Sequence, residues 1–535
     1  MSKLKIAVFF ILQITVSQAT TLALDVESGS DKYTCNSTSA CSIGCCSKSG
    51  VCGLGPDFCG SDNCVSSCDY KSECDPGWGI KWSNASTCPL NVCCSDYGFC
   101  GTPLTGIPIL ISGLIFTGTT SEFCGSKTVT SPSCSGSSSD KRTIGYYEGW
   151  NLEHKCDTMK PSQIPLGYYT HLNFAFAYID PDSFQMAPMA SDVAALYKNV
   201  TLLKQQQDDL EVWISIGGWA FNDDDQSTAT TFSDLAASES AQKEFFASLI
   251  TFLVKYKFDG VDIDWEYPAA EDRSGKSADY KNFSSFLKNL RKALDGTGMV
   301  FGLSITIPSS YWYMQHFDIV SIDPIVDWFN IMTYDLHGTW DGTDPYIGKV
   351  ALAHTNLTEI EQSLELLWRN NIDPTKVNMG LGFYGRSQSL STRCVLISVL
   401  IQTGFTMKDS DCLSAGCPFT SGGKAGRCTG SSGILSDIEI REAIADGATV
   451  TLDEAAAVKI VTWDTDQWVS YDDAETMKTK INFANQHCLG GTMIWAIDQD
   501  DQNGTSINNL GSVLNRAKSD VTTVQYNTTS DQGWL

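Results

Sequence analysis

Residues 258–268 read Phe-Asp-Gly-Val-Asp-Ile-Asp-Trp-Glu-Tyr-Pro, a run that places three acids where a strand should be apolar. In an extended strand side chains alternate between faces, so Asp262, Asp264 and Glu266 point one way and Val261, Ile263 and Trp265 the other. A run of acids more often marks a solvated face. Here the interleaved residues are β-branched and aromatic, which suits a strand covered by helices on its outer side. Carboxylates within and apolar residues without describe a barrel with chemistry in its mouth. Crowded like charges raise the pKa of at least one member, and a carboxyl held protonated near neutral pH is what a general acid needs.

Outward from that strand, short apolar runs alternate with amphipathic stretches from residue 142 onward, the texture of a parallel βα architecture. Strands are expected near 143–147, 171–177, 212–216, 260–265, 301–307, 328–333, 377–382 and 491–496, with helices such as 240–256 and 278–294 between them. Eight such strands predict an α/β fold, a (β/α)8 TIM barrel over 141–516, followed by a polar tail at 517–535. The long gap before the eighth strand predicts an inserted small subdomain at about 405–460 carrying Cys412, Cys417 and Cys428. In such barrels active residues gather at the C-terminal ends of the strands. That rule places Glu266 outermost on the fourth strand, Asn330, Met332, Tyr334 and Asp335 at the end of the sixth, and Trp495 at the end of the eighth. Asp259 falls off the inward parity and is expected to brace the start of its strand.

A formal net charge of -26 excludes nucleic-acid and anionic-membrane partners, which need clustered Lys and Arg. A neutral polymer is compatible with that charge. The N-terminus has a charged start, an apolar run over 6–16 and a small-residue cleavage site, so 1–19 reads as a signal peptide too short to span a bilayer. Asn-X-Ser/Thr sequons at Asn36, Asn84, Asn199, Asn282, Asn356, Asn503 and Asn527 fit export, and a secreted, extracellular or cell-wall-associated monomeric glycoprotein is expected. Of 21 cysteines, 15 lie between Cys35 and Cys134, a density that in a secreted chain means disulfides in place of a core. No His falls in that span and two Cys-Cys pairs do, which disfavours zinc. The six His are scattered without ligand spacing, so no metal and no cofactor are implied.

Cys35, Cys41, Cys45, Cys46, Cys52, Cys59, Cys64 and Cys68 make an eight-cysteine unit, 35–68, with Cys-Cys-Ser-x-x-Gly-x-Cys-Gly from Cys45 to Gly53. The spacing resembles the hevein-like chitin-binding module, in which a Ser and three aromatics form a shallow stacking surface for N-acetylglucosamine. The matching positions are Ser47, Ser49, Val51 and Phe58, so this first surface is degenerate. A second unit, 74–134, holds Cys74, Cys88, Cys93, Cys94, Cys100, Cys124 and Cys134, and its matching surface, Ser95, Tyr97, Phe99 and Phe123, is complete. Flat aromatic faces suit the apolar faces of pyranose rings. Residues 135–140 read as a flexible linker to the barrel.

Two apolar stretches, 103–119 and 388–404, interrupt otherwise regular spacing. Each is 17 residues long, a whole number of codons, and without them the chain has 501 residues and an even 20 cysteines. Both read as retained short introns or gene-model errors. The rival reading is a real strand and a partner-binding flap, and the mature transcript decides between them.

The run from Asp259 to Glu266 fits the DxxDxDxE signature of family 18 glycoside hydrolases, the chitinases, and the chain resembles that family over about 142–516. Ser215-Ile-Gly-Gly218, Met332-Thr-Tyr-Asp335 and Trp495 support the resemblance in the right order. With the hevein-like units, the layout resembles fungal killer-toxin-type chitinases. The resemblance implies that Glu266 is the general acid and that the substrate's own acetamido group is the nucleophile. It further implies that Asp264 orients that group, Asp262 shares a proton with Asp264, Tyr334 bonds the acetamido oxygen and Trp495 floors the adjoining sugar. Asp335 and Met332 line the substrate site, and Tyr146 and Ser215 support Asp262. The implied partner is chitin or its oligosaccharides. Two alternatives share the signature: an endo-β-N-acetylglucosaminidase acting on N-glycans, and a chitin-docking subunit of a killer-toxin-like system.

Overall fold

The computed structural model describes residues 34–101, 129–344, 347–390 and 412–519, and the backbone alone of Leu110–Ile111 and Leu114–Ile115. The expected signal peptide, Phe123, nearly all of 103–119, 391–404 and most of the tail lie outside the described residues. The chain divides into two compact units, one formed by residues up to 88 with 94–100 and the other by 89–93 with the residues from 101 on.

In the first unit disulfides stand in for a core. Cys35–Cys46, Cys41–Cys52, Cys45–Cys59 and Cys64–Cys68 knot the first module. Cys74–Cys94 and Cys88–Cys100 repeat the first two of these pairings in the second. Each knot carries the same tight hairpin, in which the Ser47 N–H donates to the Val51 carbonyl at 3.0 Å and the Ser95 N–H to Phe99 at 2.8 Å. Gly50 and Gly98 turn these hairpins at φ of 76° and 78°, where a side chain would be strained. The Trp78 indole wedges between the knots, 2.9 Å from where a Cβ on Gly55 would stand and 3.1 Å from one on Gly98.

In the second unit eight parallel strands close into a barrel: β1 (Arg142–Glu148), β2 (His171–Ile179), β3 (Glu211–Gly217), β4 (Gly260–Asp264), β5 (Gly302–Pro308), β6 (Trp328–Met332), β7 (Val377–Gly382) and β8 (Gly491–Trp495). Each pairs with its neighbours and β1 pairs with both β2 and β8, so no barrel edge is left open. All eight fall where the apolar runs predict. The helix Glu239–Tyr256 begins on Ser238, whose hydroxyl accepts from the Ala241 N–H, and buries Phe245, Leu249, Phe252 and Leu253 at helical spacing. Asp279–Asp295 buries Phe283, Phe286, Leu287, Leu290 and Leu294 in the same way. Inside the barrel, Trp213 stacks on Trp328 at 4.4 Å and plugs the end away from the mouth.

Between β7 and β8 stands an antiparallel sheet of Tyr384–Leu390, Phe419–Gly422, Ile434–Ser436, Thr449–Asp453, Val458–Trp463 and Gln467–Tyr471. It starts earlier and ends later than the expected 405–460. Its first strand follows β7 after one residue, and Gln388, inside the apparent insert, faces Trp468 in the ladder. Burial of Leu390, Phe419, Val458, Ile460 and Trp468 gives this subdomain its own core.

Two boundaries differ from the sequence reading. Cys134, grouped with the second knot by spacing, bonds Cys488 instead and so belongs to the barrel. Spacing counts cysteines but does not pair them. The expected flexible linker is packed: Ser139 is buried, and its N–H and hydroxyl donate to the side-chain amide Oδ1 of Asn485 at 2.9 and 2.7 Å. Residues 517–519 likewise lie on the barrel, with the Ser519 N–H donating to Leu166.

Candidate active site

The alternation in β4 puts Asp262, Asp264 and Glu266 in one inward row that rises toward the mouth, while Trp265 is buried outward between Phe232 and Phe283. Asp262, deepest, accepts from Tyr146 (2.8 Å), Ser215 (2.9 Å), Ser304 (2.6 Å) and Asn330 (3.2 Å). These donors come from β1, β3, β5 and β6, so the carboxyl is the hub of the barrel interior. Behind it, Asn378 donates to Asn330 at 2.9 Å and Arg142 to Asn378 at 2.8 Å. Burial pushes the Asp262 carboxyl up, and its four donors pull back only part of that rise. Among the described residues Asp264 accepts from Thr306 alone. Burial and the charges of Glu266 and Asp262 hold its carboxyl well above the usual range.

Glu266 stands just past the end of β4. Burial raises it to about 7; a hydrogen bond from Tyr267 and the Arg273 charge oppose the rise, while Asp335 and Asp223 add to it. The two glycines after Ser215 make room for this row. Gly217 has φ 114°, and a Cβ there would lie 2.1 Å from the Asp264 carbonyl, to which the Gly218 N–H donates at 2.9 Å.

Across the mouth, Tyr334 is buried beside Met493, its hydroxyl 3.7 Å from the sulfur. Burial and the charges of Asp264 and Glu266 keep that hydroxyl protonated. Asp335 is gripped by Tyr384 (2.6 Å) and by the Arg386 fork (2.7 and 2.5 Å), beside His354. Burial would raise its carboxyl, but the Arg386 charge and His354 outweigh that and hold it well below the usual carboxylate range. Trp495 packs with Phe176 (5.6 Å), Tyr146 (5.6 Å) and Trp150 (6.3 Å), and Met332 adjoins this cluster. Asp259 faces away: it pairs with Lys204 at 2.7 Å and accepts the Val212 N–H, bracing the strand start.

The barrel therefore brings together Glu266, Asp264, Asp262, Tyr334, Asp335, Met332, Tyr146, Ser215 and Trp495. In the second module Tyr97 is exposed, Phe99 is half-buried and Ser95 accepts from the Phe99 N–H, with Phe123 outside the described residues. In the first, Val51 is exposed at the position of Phe99, and Phe58 covers Gly53.

Residues 142–500 match the model of glycosyl hydrolases family 18. The chain belongs to that family. It is 30% identical to the secreted chitinase LysM12 of Penicillium expansum over 454 residues, 79% of this chain and 28% of that protein. It is 33% identical to the killer toxin subunits alpha/beta of Kluyveromyces lactis over 393 residues, 69% of this chain and 29% of that protein. The chain spans 28% to 32% of the length of these and two further Penicillium expansum relatives, probable chitinases LysM18 and LysM11. Its structure resembles the group II chitinase catalytic domain 2 of Ostrinia furnacalis, with TM-score 0.61 and 27% identity over 72% of this chain and 99% of that one. The same domain has been solved as an E2180L mutant in complex with a chitin oligosaccharide.

Residues that the sequence reading missed complete the site. Ser304 and Thr306 were signalled by inward parity on β5. Arg386 and Tyr384 follow β7 within four residues, but a sequence gives no sign that they reach back to Asp335. Arg273 and Trp150 lie in turns without period, and Phe176 lies within β2, where only its neighbours on other strands reveal that it meets Trp495.

Proposed function

We propose that the chain is a secreted chitinase that hydrolyses β-1,4-N-acetylglucosamine linkages with retention of configuration, the substrate's acetamido group acting as nucleophile. The observation that carries this reading is the inward row of β4, in which Glu266 stands at the mouth above the two buried aspartates Asp264 and Asp262, with burial favouring its protonated form. Glu266 gives its proton to the glycosidic oxygen as the acetamido carbonyl oxygen attacks the anomeric carbon and the leaving sugar departs. Asp264 bonds the acetamido N–H and balances the charge of the oxazolinium ion, with Asp262 sharing its proton, so the pair titrates as a unit. Tyr334 donates to the acetamido oxygen. The Glu266 carboxylate then takes a proton from water, which opens the ring from the face the leaving group vacated. Two displacements restore the starting configuration.

The face of Trp495 suits the apolar side of the sugar being cleaved. We assign chitin binding in the second module to Ser95, Tyr97, Phe99 and Phe123, and the first module keeps the scaffold with Phe58 alone of the three aromatics. Relatives named secreted chitinase and killer toxin support an extracellular or cell-wall-associated protein acting on chitin. Digestion of colloidal chitin beside a high-mannose glycoprotein tests the substrate, with the anomer of the first product read by NMR. Chitin oligomers released as the β-anomer are expected. Glycoprotein cleavage with chitin left intact identifies an endo-β-N-acetylglucosaminidase, and inertness on both leaves a docking subunit.

A further inference from the structure

Arg273 lies in the short turn Glu271–Arg273, seven residues beyond the acid, and is only 7% exposed. Each edge of its guanidinium has a partner. Nε donates to the Glu266 carbonyl at 3.1 Å, Nη1 to Asp223 at 2.8 Å and Nη2 to the Trp219 carbonyl at 2.5 Å. Its plane covers one face of the Trp219 ring, 3.7 Å from the centroid, and Trp219 is still 51% exposed. One indole face is therefore fixed on the cation and the other is open. A guanidinium that makes a fork and a stack at once is something a lysine ammonium does not reproduce.

We propose that Arg273 is a positioning residue for the hydrolysis, joining the backbone of the acid Glu266 to the loop after β3 so that the acid and the open face of Trp219 meet one substrate chain in fixed register. This rests on the glycosidase reading above. Without the arginine, Trp219 loses the guanidinium stacked on its face and keeps the edge contact with Tyr267 at 6.4 Å, and the Glu266 carbonyl loses a charged donor.

The cation also acts on the acid. The titratable groups around Glu266 are Asp264 below it, Asp223 on the loop after β3, Tyr334 and Asp335 beyond β6, and its neighbours Tyr267 and Tyr313. The positive charge of Arg273 acts on Glu266 and favours its ionised form.

The test is steady-state kinetics on chitotetraose against pH for wild type, Arg273→Gln, Arg273→Lys, Trp219→Ala and the double variant Trp219→Ala/Arg273→Gln. Arg273→Gln should raise KM about five-fold through the unstacked indole and move the alkaline limb of kcat to higher pH. Arg273→Lys should restore the limb but not KM. In the Trp219→Ala background Arg273→Gln should add nothing further to KM, because its effect runs through that ring. A uniform fall in kcat with KM and the limb unchanged makes Arg273 a packing residue only and overturns the proposal. Additive KM effects in the double variant overturn it too. Wild type inert on chitotetraose refutes the glycosidase reading itself, before any variant is compared.

Discussion

The sharpest consequence of the site concerns the proton on Glu266. An ordinary glutamic acid titrates at 4.5, and burial raises this one to about 7. That rise corresponds to roughly 3 kcal/mol in favour of the protonated form. At pH 6 about nine-tenths of such a group carries its proton, against about 3% of an unshifted one, so burial supplies roughly a thirty-fold larger population of acid. The sign follows from the role: the protonated form is active, so turnover is full below the folded pKa and is lost as pH rises through it. Turnover of a chitin oligosaccharide should therefore hold to near pH 7 and then fall about ten-fold per unit. Glu266→Gln keeps the shape and the neutral charge but has no proton to give. It should lower kcat by about 10² to 10⁴ or more and leave chitin binding intact, measured by pull-down beside stopped assays of product. An alkaline limb near pH 4.5, or a Gln variant keeping more than about a tenth of wild-type turnover, would refute the assignment.

Two further outcomes are expected elsewhere. Tyr97→Ala should weaken chitin pull-down by about three- to ten-fold, whereas Phe58→Ala, whose ring covers Gly53, should change it little if the module holds its fold; equal losses would mean the first module also binds. His337 lies between Asp341 (2.9 Å) and Glu359 (2.8 Å); burial lowers its pKa, but the two carboxylates outweigh that and raise it from 6.5 to about 9. Its ion pairs therefore contribute fully below about 6.5 and are lost as pH rises through about 9, a contribution of roughly 2 to 3 kcal/mol at pH 7. His337→Gln should lower stability to denaturant at pH 7 more than at pH 10, and a pH-independent loss would contradict the pairing.

The catalytic row was legible because two periodicities coincide in 258–268. A period of two separates inward from outward residues, and the apolar outward set tells a barrel strand from a solvated one. The same parity carries over to Tyr146, Ser215 and Asn330, since a carboxyl buried at the barrel centre has to find its donors on other strands. Illegible were the contacts made from outside the barrel strands. Arg386 reaches Asp335 across 51 positions and Cys134 reaches Cys488 across 354, and no local pattern encodes either meeting. The linker was misread for a related reason: Ser and Asp supply turns and caps as readily as flexibility, and what decides is the partner, here Asn485, from the far end of the chain.

The acids and their supports divide the work along the same line. Asp262 and Asp264 are held by hydroxyls and amides on strands, neutral donors in a closed interior that leave the carboxyls raised. Asp335 is held by an arginine from the inserted sheet and stays ionised, while Glu266 faces a second arginine that restrains its pKa without abolishing the rise. The barrel strands thus set which carboxyls crowd together, and two arginines from outside the barrel strands, Arg386 on the inserted sheet and Arg273 in a short turn, set which of them carries charge. A variant that alters either arginine should therefore shift the pH at which the site works, whereas one that alters a barrel-strand hydroxyl should alter whether the aspartate pair keeps its shared proton.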